Sequence, residues 1–217
     1  MDSGINYLGN FDPSYSSAKK IIPYVLTYLP NIKSVIDTGC ALGSWLLPFI
    51  DSGIEDVIGK DIDEVNIDDL KIPKNKFVND LNLINRKFDL VISLETAEHI
   101  EQDKADDYIK DLVSLGDVIL FSAAVPRQGG ANHVNERWLW YWKNKFKEHG
   151  FVGVDCLRSK IFRDVDICWW YRQNILFWVR EDKLKDYPKL EVEEKKTMLE
   201  ELQIVHKSII DRMEKAK

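Results

Sequence analysis

An α/β fold with a mostly parallel sheet and helices on both faces is the architecture this sequence predicts, on three observations. Short apolar runs alternate with stretches of helical periodicity along most of the chain, which is the pattern of strand–helix–strand units. The first of these runs ends in a glycine-bearing turn, Val35 to Trp45 (VIDTGCALGSW), placed where a strand passes into a helix. The chain of 217 residues with 45% hydrophobic content is also long enough to bury a sizeable core.

Tyr15-Ser-Ser-Ala18 opens an apolar helical pattern through Ile22, Val25, Leu26 and Leu29. Ser34-Val35-Ile36 reads as a buried strand, and Asp37 marks where it leaves the sheet. Gly39 and Gly43 then remove side chains from the turn, giving D-x-G-x-x-x-G. Val57-Ile58-Gly59 forms a second strand ending in Lys60-Asp61-Ile62-Asp63, and Phe77-Val78 a third that ends in Asn79-Asp80-Leu81. Phe88 to Glu95 reads as a buried parallel strand leading into an acidic loop. Tyr108, Ile109, Leu112, Val113 and Leu115 make an apolar stripe at helical spacing, and Asp117 to Ala124 is a fifth strand. A helix over 137–149 stops at Gly150, and Phe151 to Leu157 and Ile175 to Val179 supply two final strands. The tail beyond residue 180 is charged. Met198, Leu202, Val205, Ile209 and Met213 share one side of a single predicted amphipathic helix, which divides the chain into residues 1–180 and 181–217.

Composition narrows the function. The formal net charge of −6 disfavours capture of duplex nucleic acid, which needs lysine and arginine to neutralise phosphates. No apolar run reaches the roughly 20 residues of a membrane span. The acidic, polar N-terminus does not read as a secretory signal. Three cysteines, Cys40, Cys156 and Cys168, lack any C-x-x-C spacing, so neither a disulfide framework nor a cysteine zinc site is expected. The cytoplasm is the expected compartment.

The glycine turn also lacks the G-x-G-x-x-G that brings a pyrophosphate onto a helix N-terminus, and the Gly-Lys-Ser/Thr of a P-loop. An acidic residue in place of the first glycine suits a ligand carrying an ammonium group. Asp61 falls where a ribose-binding carboxylate is expected after such a loop. Further on, Glu95-Thr-Ala-Glu98-His99 forms E-x-x-E-H, which sets the two carboxylates on adjacent turns if the segment is helical, with the imidazole beside them. His133 follows the fifth strand, and both loops open at the carboxyl edge of the sheet. Two aromatic runs flank this region, Trp138-Leu-Trp140-Tyr141-Trp142 and Trp169-Trp170-Tyr171; Trp138 and Tyr141 are candidates for an acceptor pocket, although aromatic stripes are core more often than ligand-binding. Gln128-Gly129-Gly130 could supply a flexible lid.

Taken in order, the glycine loop and the acidic ends of the second, third and fourth strands resemble the motifs of class I S-adenosylmethionine-dependent methyltransferases over roughly residues 14 to 180. The resemblance implies a Rossmann-like sheet of seven strands with the last antiparallel. It implies S-adenosyl-L-methionine bound by Asp37, Gly39, Cys40, Ala41, Gly43 and Trp45, by Asp61 and Ile62 at the ribose, by Asp80 and Leu81 at the adenine, and by Leu94, with Tyr15 of the leading helix reaching the methionine moiety. Ala41 stands where the family usually has glycine. E-x-x-E-H with a later histidine is similar to the metal-assisted O-methyltransferases of ubiquinone synthesis and of small-RNA 2'-hydroxyls. By that likeness Glu95, Glu98, His99 and His133 would hold Mg²⁺, Mn²⁺ or Fe²⁺. Without an ion, His133 or His99 is the expected general base, with Glu95 alongside. The runs FSAAVPRQGGANHVNERW and WWYRQN resemble small bacterial and viral methyltransferases found with surface-polysaccharide genes, which points to a sugar hydroxyl or other small-molecule acceptor. N-methylation, RNA 2'-O-methylation and a non-catalytic subunit that pairs through its C-terminal helix, in a homodimer or with another protein, stay open.

Overall fold

The computed structural model describes residues 7–62, 65–198, 203 and 205–215. Strands β1 (Ser34–Thr38), β2 (Asp56–Lys60), β3 (Phe77–Val78), β4 (Leu90–Leu94), β5 (Val118–Ser122), β6 (Phe151–Val154) and β7 (Leu176–Arg180) form one sheet in the order β3-β2-β1-β4-β5-β7-β6. All pairings are parallel except those of β7, which runs antiparallel to both β5 and β6. This is the mostly parallel α/β sheet that the strand–helix alternation predicts, with seven strands and the last antiparallel as the family resemblance implies.

The order has a simple physical origin. β1, β4 and β5 are buried at every position, so they occupy the centre and need helices over both faces. Successive strand side chains point to opposite faces, and the core divides accordingly. Val35, Leu90, Ile92, Leu120 and Phe177 join one apolar cluster with α1 (Tyr7–Tyr28) and α2 (Leu47–Asp51). Ile36, Val91, Ile119, Phe121 and Trp178 join the other with α3 (Ala105–Leu115) and α4 (Leu139–Glu148). α4 shows why a helix forms here: Leu139, Trp142 and Phe146 recur at helical spacing and are all buried, and Phe146 stacks on Trp178 at 4.7 Å.

β1 and β4 are adjacent although β2 and β3 separate them in sequence, so the chain reverses its direction of travel across the sheet at this point. The segments after β1 and β4 therefore lead to helices on opposite faces of the sheet, and a crevice opens at the carboxyl ends of these two strands. α1 crosses this crevice from one side. α6 (Trp169–Asn174), which follows the short α5 (Arg158–Ile161), caps it from the other, and the segment before α6 is pinned to α1 where Lys20 meets Asp164 and Asp166 and where the Cys168 amide donates to Ser17 Oγ.

The tail departs from the single amphipathic helix expected. It comprises α7 (Pro188–Glu194) and α8 (Lys207–Lys215), separated by non-helical backbone at residues 197 and 198 and again at 203, 205 and 206. Thr197 ends α7 by donating from Oγ1 to the Glu193 carbonyl and accepting at Oγ1 from the Asp155 amide, so its side chain ties the chain to the end of β6. Leu190 and Ile209 are buried, whereas Met198 is half exposed. Leu202 and the side chain of Met213 lie outside the described residues. Among the described residues no helix is long and apolar enough to cross a membrane.

Candidate functional site

The crevice holds a cavity of about 440 Å³. One end is built by the glycine loop. After Thr38 the backbone turns sharply, with φ of +84° at Gly39, +47° at Ala41 and +89° at Gly43. A Cβ on Gly39 would lie 2.3 Å from Thr96 Oγ1, so this glycine permits the β1 and β4 loops to touch. The Ala41 amide donates to Asp61 Oδ2 at 2.6 Å, which fastens the turn to the end of β2 and offsets the strain of an alanine at positive φ. Asp61 Oδ1 accepts from the Ile62 amide. Asp37 is buried beneath the turn, and burial, with the nearby Asp61 charge, pushes its carboxyl well above the usual range.

The other end is built by the β4 and β5 loops. Glu95 leaves β4 at φ +52°, and Ala97–His99 then form a single 3₁₀ turn rather than the helix that the E-x-x-E-H spacing would need. The tight turn sorts the two acids. Glu95 accepts from Gln128 Nε2 and, at 3.2 Å, from Asn174 Nδ2, so both its oxygens are engaged by amides. Glu98 is completely buried and neither carboxylate oxygen has a hydrogen-bond donor. Burial, then the neighbouring Glu95 charge, pushes its carboxyl far up.

His99 and His133 meet edge to face at 5.0 Å beside Glu98. His99 Nδ1 lies 3.3 Å from the Asn132 carbonyl and His133 Nδ1 lies 3.0 Å from Glu136 Oε1, so each ring donates from Nδ1 and keeps Nε2 for another role. His133 Nε2 is 3.8 Å from Glu98 Oε1. Burial, and the adjacent His133, lower the pKa of His99, which favours its neutral ring. One atom each from Glu98, His99 and His133 lie within 4.8 Å of one another.

Of the residues named from the sequence, Asp37, Gly39, Cys40, Ala41, Trp45, Asp61, Ile62, Leu94, Glu95, Glu98, His99 and His133 line the one cavity. Four do not. Gly43 sits behind it, its missing Cβ making room for Ile72. Asp80 caps the 3₁₀ turn Leu81–Leu83 by accepting from the Asn82 amide, which turns it and Leu81 away from the lining. Tyr15 stacks on Phe11 under Lys19, because the cavity-facing stripe of α1 is Asn10, Phe11 and Ser14. Glu95 also lies outside the group of Glu98, His99 and His133 whose donor atoms come within 4.8 Å of one another, and each of its oxygens accepts from an amide. The acceptor candidates Trp138 and Tyr141 are absent from the lining, since α4 turns its apolar face onto the sheet; Trp169, Trp170 and Tyr171 of the second aromatic run take that place. Tyr171 Oη joins three elements, with Trp45 Nε1 at 3.3 Å and Ser14 Oγ at 3.2 Å. Asn174 had no local sequence signal, because it matters through Glu95, 79 positions away; Glu136 lies three residues from His133, but only the fold of their loop turns the two side chains together.

A family profile described as a methyltransferase domain matches residues 13–170. No curated protein matches the chain. Among solved structures the chain is similar to magnesium protoporphyrin IX methyltransferase from Synechocystis with bound S-adenosylmethionine, at 22% identity and a TM-score of 0.59 over 83% of this chain and 86% of that one. It is also similar to an S-adenosylmethionine-dependent methyltransferase from Archaeoglobus fulgidus, at 20% identity and a TM-score of 0.53 over 65% and 71%. A third likeness is to an amino pentose methyltransferase of calicheamicin biosynthesis from Micromonospora echinaspora, at 11% identity and a TM-score of 0.54 over 77% and 91%. With a profile that spans most of the chain and a sheet order that places its glycine loop over the crevice, this protein belongs to the methyltransferase domain family.

Proposed function

We propose that the chain transfers the methyl group of S-adenosylmethionine to a hydroxyl of a small neutral acceptor, a sugar or glycan being the favoured class. The observation that carries this reading is the continuity of one cavity from Asp37 and Asp61 to His99 and His133. The acidic end suits a cofactor with an ammonium, a sulfonium and a ribose diol. The histidine end suits an acceptor that must lose a proton. Among the described residues no lysine or arginine lines the cavity, which argues against a phosphorylated acceptor or an RNA backbone. Trp169 and Trp170 offer ring faces of the kind that pack on sugars and other planar surfaces.

In the reaction the acceptor oxygen forms a bond to the methyl carbon as the carbon–sulfur bond breaks in line, and the electron pair stays on sulfur as S-adenosylhomocysteine. The acceptor's proton goes to His133 Nε2, the ring nitrogen left unprotonated when Nδ1 donates to Glu136; positioned proton transfer is worth roughly 10²–10⁴-fold. Closure of α1 and α6 over the cavity aligns the two substrates and excludes water, which contributes several kcal/mol.

A metal-assisted version is favoured by one further observation. Two orphaned oxygens on a buried Glu98, with two imidazoles each presenting Nε2, fit a divalent cation held by Glu98, His99 and His133. Such an ion supplies Lewis-acid lowering of the hydroxyl pKa.

The test starts with calorimetric titration of S-adenosylhomocysteine into chelator-treated protein; failure to bind at millimolar ligand sinks the methyltransferase activity. Methyl transfer from labelled cofactor is then measured on a panel of neutral glycosides and their phosphate esters, with and without Mg²⁺. Turnover of the neutral members alone is expected. Loss of that turnover on chelation, with cofactor binding retained, selects the metal-assisted version, and N-methylation of an amine in the panel replaces the hydroxyl reading.

A further inference from the structure

The loop from Arg127 to His133 is backbone that should not hold itself in place. Arg127, Gly129 and Asn132 all have positive φ, at +71°, +70° and +58°. The Glu136 side chain spans it from within. Glu136 Oε2 accepts from the Arg127 amide at 2.7 Å, and Glu136 Oε1 accepts from the Gly129 amide at 2.6 Å and faces His133 Nδ1 at 3.0 Å. Both oxygens already accept from the backbone, so the imidazole is the donor in the third contact. The ring is confined on its other side as well, because a Cβ at Gly130 would fall 2.2 Å from His133 Nε2.

We propose that Glu136 is a positioning residue for the active site: by accepting the Nδ1 proton of His133 it fixes the imidazole in the tautomer whose Nε2 lone pair faces the cavity, and it anchors the same loop that walls that cavity. The clasp is sheltered, with the His133 and Glu136 side chains only 12% and 19% exposed, so water does not readily replace it. The arrangement is that of a carboxylate behind a functional histidine, where the outer partner sets ring orientation and basicity. It serves a proton-accepting Nε2 and an ion-binding Nε2 equally. Its catalytic consequence rests on the function proposed above, but the tautomer itself does not.

The test therefore reads the tautomer first. Long-range ¹H–¹⁵N spectra of the four histidines, with His133→Asn used to assign its signal, are recorded for the unliganded protein, Glu136→Ala and Glu136→Gln. Wild type is expected to carry the His133 proton on Nδ1, and Glu136→Ala to move it largely to Nε2. Glu136→Gln, with one acceptor oxygen for three donors, is expected to lie between them. Mn²⁺ titrated into the same proteins is expected to bind Glu136→Ala roughly 10–100-fold more weakly, while S-adenosylhomocysteine affinity, set at the other end of the cavity, is unchanged and certifies the fold. A His133 proton on Nε2 in wild type, or the same tautomer in wild type and Glu136→Ala, overturns the proposal. So does a fall in Mn²⁺ affinity or melting temperature with no tautomer change, which would make Glu136 a loop fastener alone. Wild type that binds no Mn²⁺ but shows the tautomer shift leaves this proposal standing and removes the metal-assisted version of the function.

Discussion

Gly39 and Ala41 sit two residues apart in one turn, both in the left-handed region, yet substitution should affect them very unequally. Gly39→Ala adds a Cβ 2.3 Å from Thr96 Oγ1 as well as about 1–2 kcal/mol of backbone strain, so the β1 and β4 loops must part. Calorimetry with S-adenosylhomocysteine is expected to show at least a roughly 10-fold loss of affinity, equivalent to about 1.4 kcal/mol. Ala41→Gly relieves strain of similar size while loosening the unfolded chain by roughly 0.5–1 kcal/mol, so its melting temperature should barely move. Asp37 is a buried carboxyl at the cavity lining, and among the described residues no cation lies beside it to stabilise its charge. Its carboxyl is raised by burial and by Asp61, so the folded state binds more protons than the unfolded state. Its contribution to stability therefore falls as pH rises from the ordinary aspartate range, near 4, up through the raised value. Asp37→Asn should raise the stability of the unliganded protein at pH 7 by about 1 kcal/mol, flatten that pH dependence, and lose cofactor affinity. Denaturant melts from pH 5 to 8 check the first two, and unchanged melts would show that the carboxyl is not destabilised.

At the scale of elements, the crevice is roofed by α1 and α6, and their junction runs through Tyr171. Tyr171→Phe leaves the Trp45 indole N–H and Ser14 without their shared partner, a loss of about 1–2 kcal/mol from a buried site. The larger expected effect is on opening of the roof. Limited proteolysis within α1 should accelerate in the variant and be suppressed by S-adenosylhomocysteine, and protection without ligand dependence would detach α1 from the site. The helices and strands themselves were legible from periodicity, because burial on both faces of β4 and β5 writes continuous apolar runs and burial on one face of α3 writes a stripe. The 3₁₀ turn at Ala97–His99 was not legible. E-x-x-E-H is compatible with a helix, and only the strained exit of Glu95 from β4 decides otherwise. Aromatic run by aromatic run, sequence could not tell which one faced the sheet and which the crevice, since both carry rings at spacings a helix can bury.

Across the whole molecule, the tail tests how far the domain extends. Leu190 is wholly buried against the cluster that contains Val154 and Phe177, so α7 is part of the core of this fold. Leu190→Ala is expected to cost about 2–5 kcal/mol and lower the melting temperature of the entire domain in one transition. A separate low-temperature transition would instead mark residues 181–217 as an independent unit. Heptad-like spacing suggested one long helix here, whereas tertiary contacts at Thr197 and between the His206 amide and Gln173 Oε1 divide it, because side-chain and backbone bonds to the domain outweigh weak helix propensity in a charged segment.

By itself the sequence determined the fold class, the succession of strands and helices, and most of the residues at the glycine-loop end of the cavity. These depend on local physics: a period of two or of 3.6, a glycine where φ must be positive, an acid where a strand leaves the sheet. The tertiary structure alone decided the other end. Which glutamate is held by amides and which is left bare, and which aromatic run lines the cavity, depend on how the loops after β4 and β5 fold against one another and against α6. Those contacts join residues as much as 79 positions apart. A side chain's role there is set by what reaches it across the crevice, and no spacing along the chain records that.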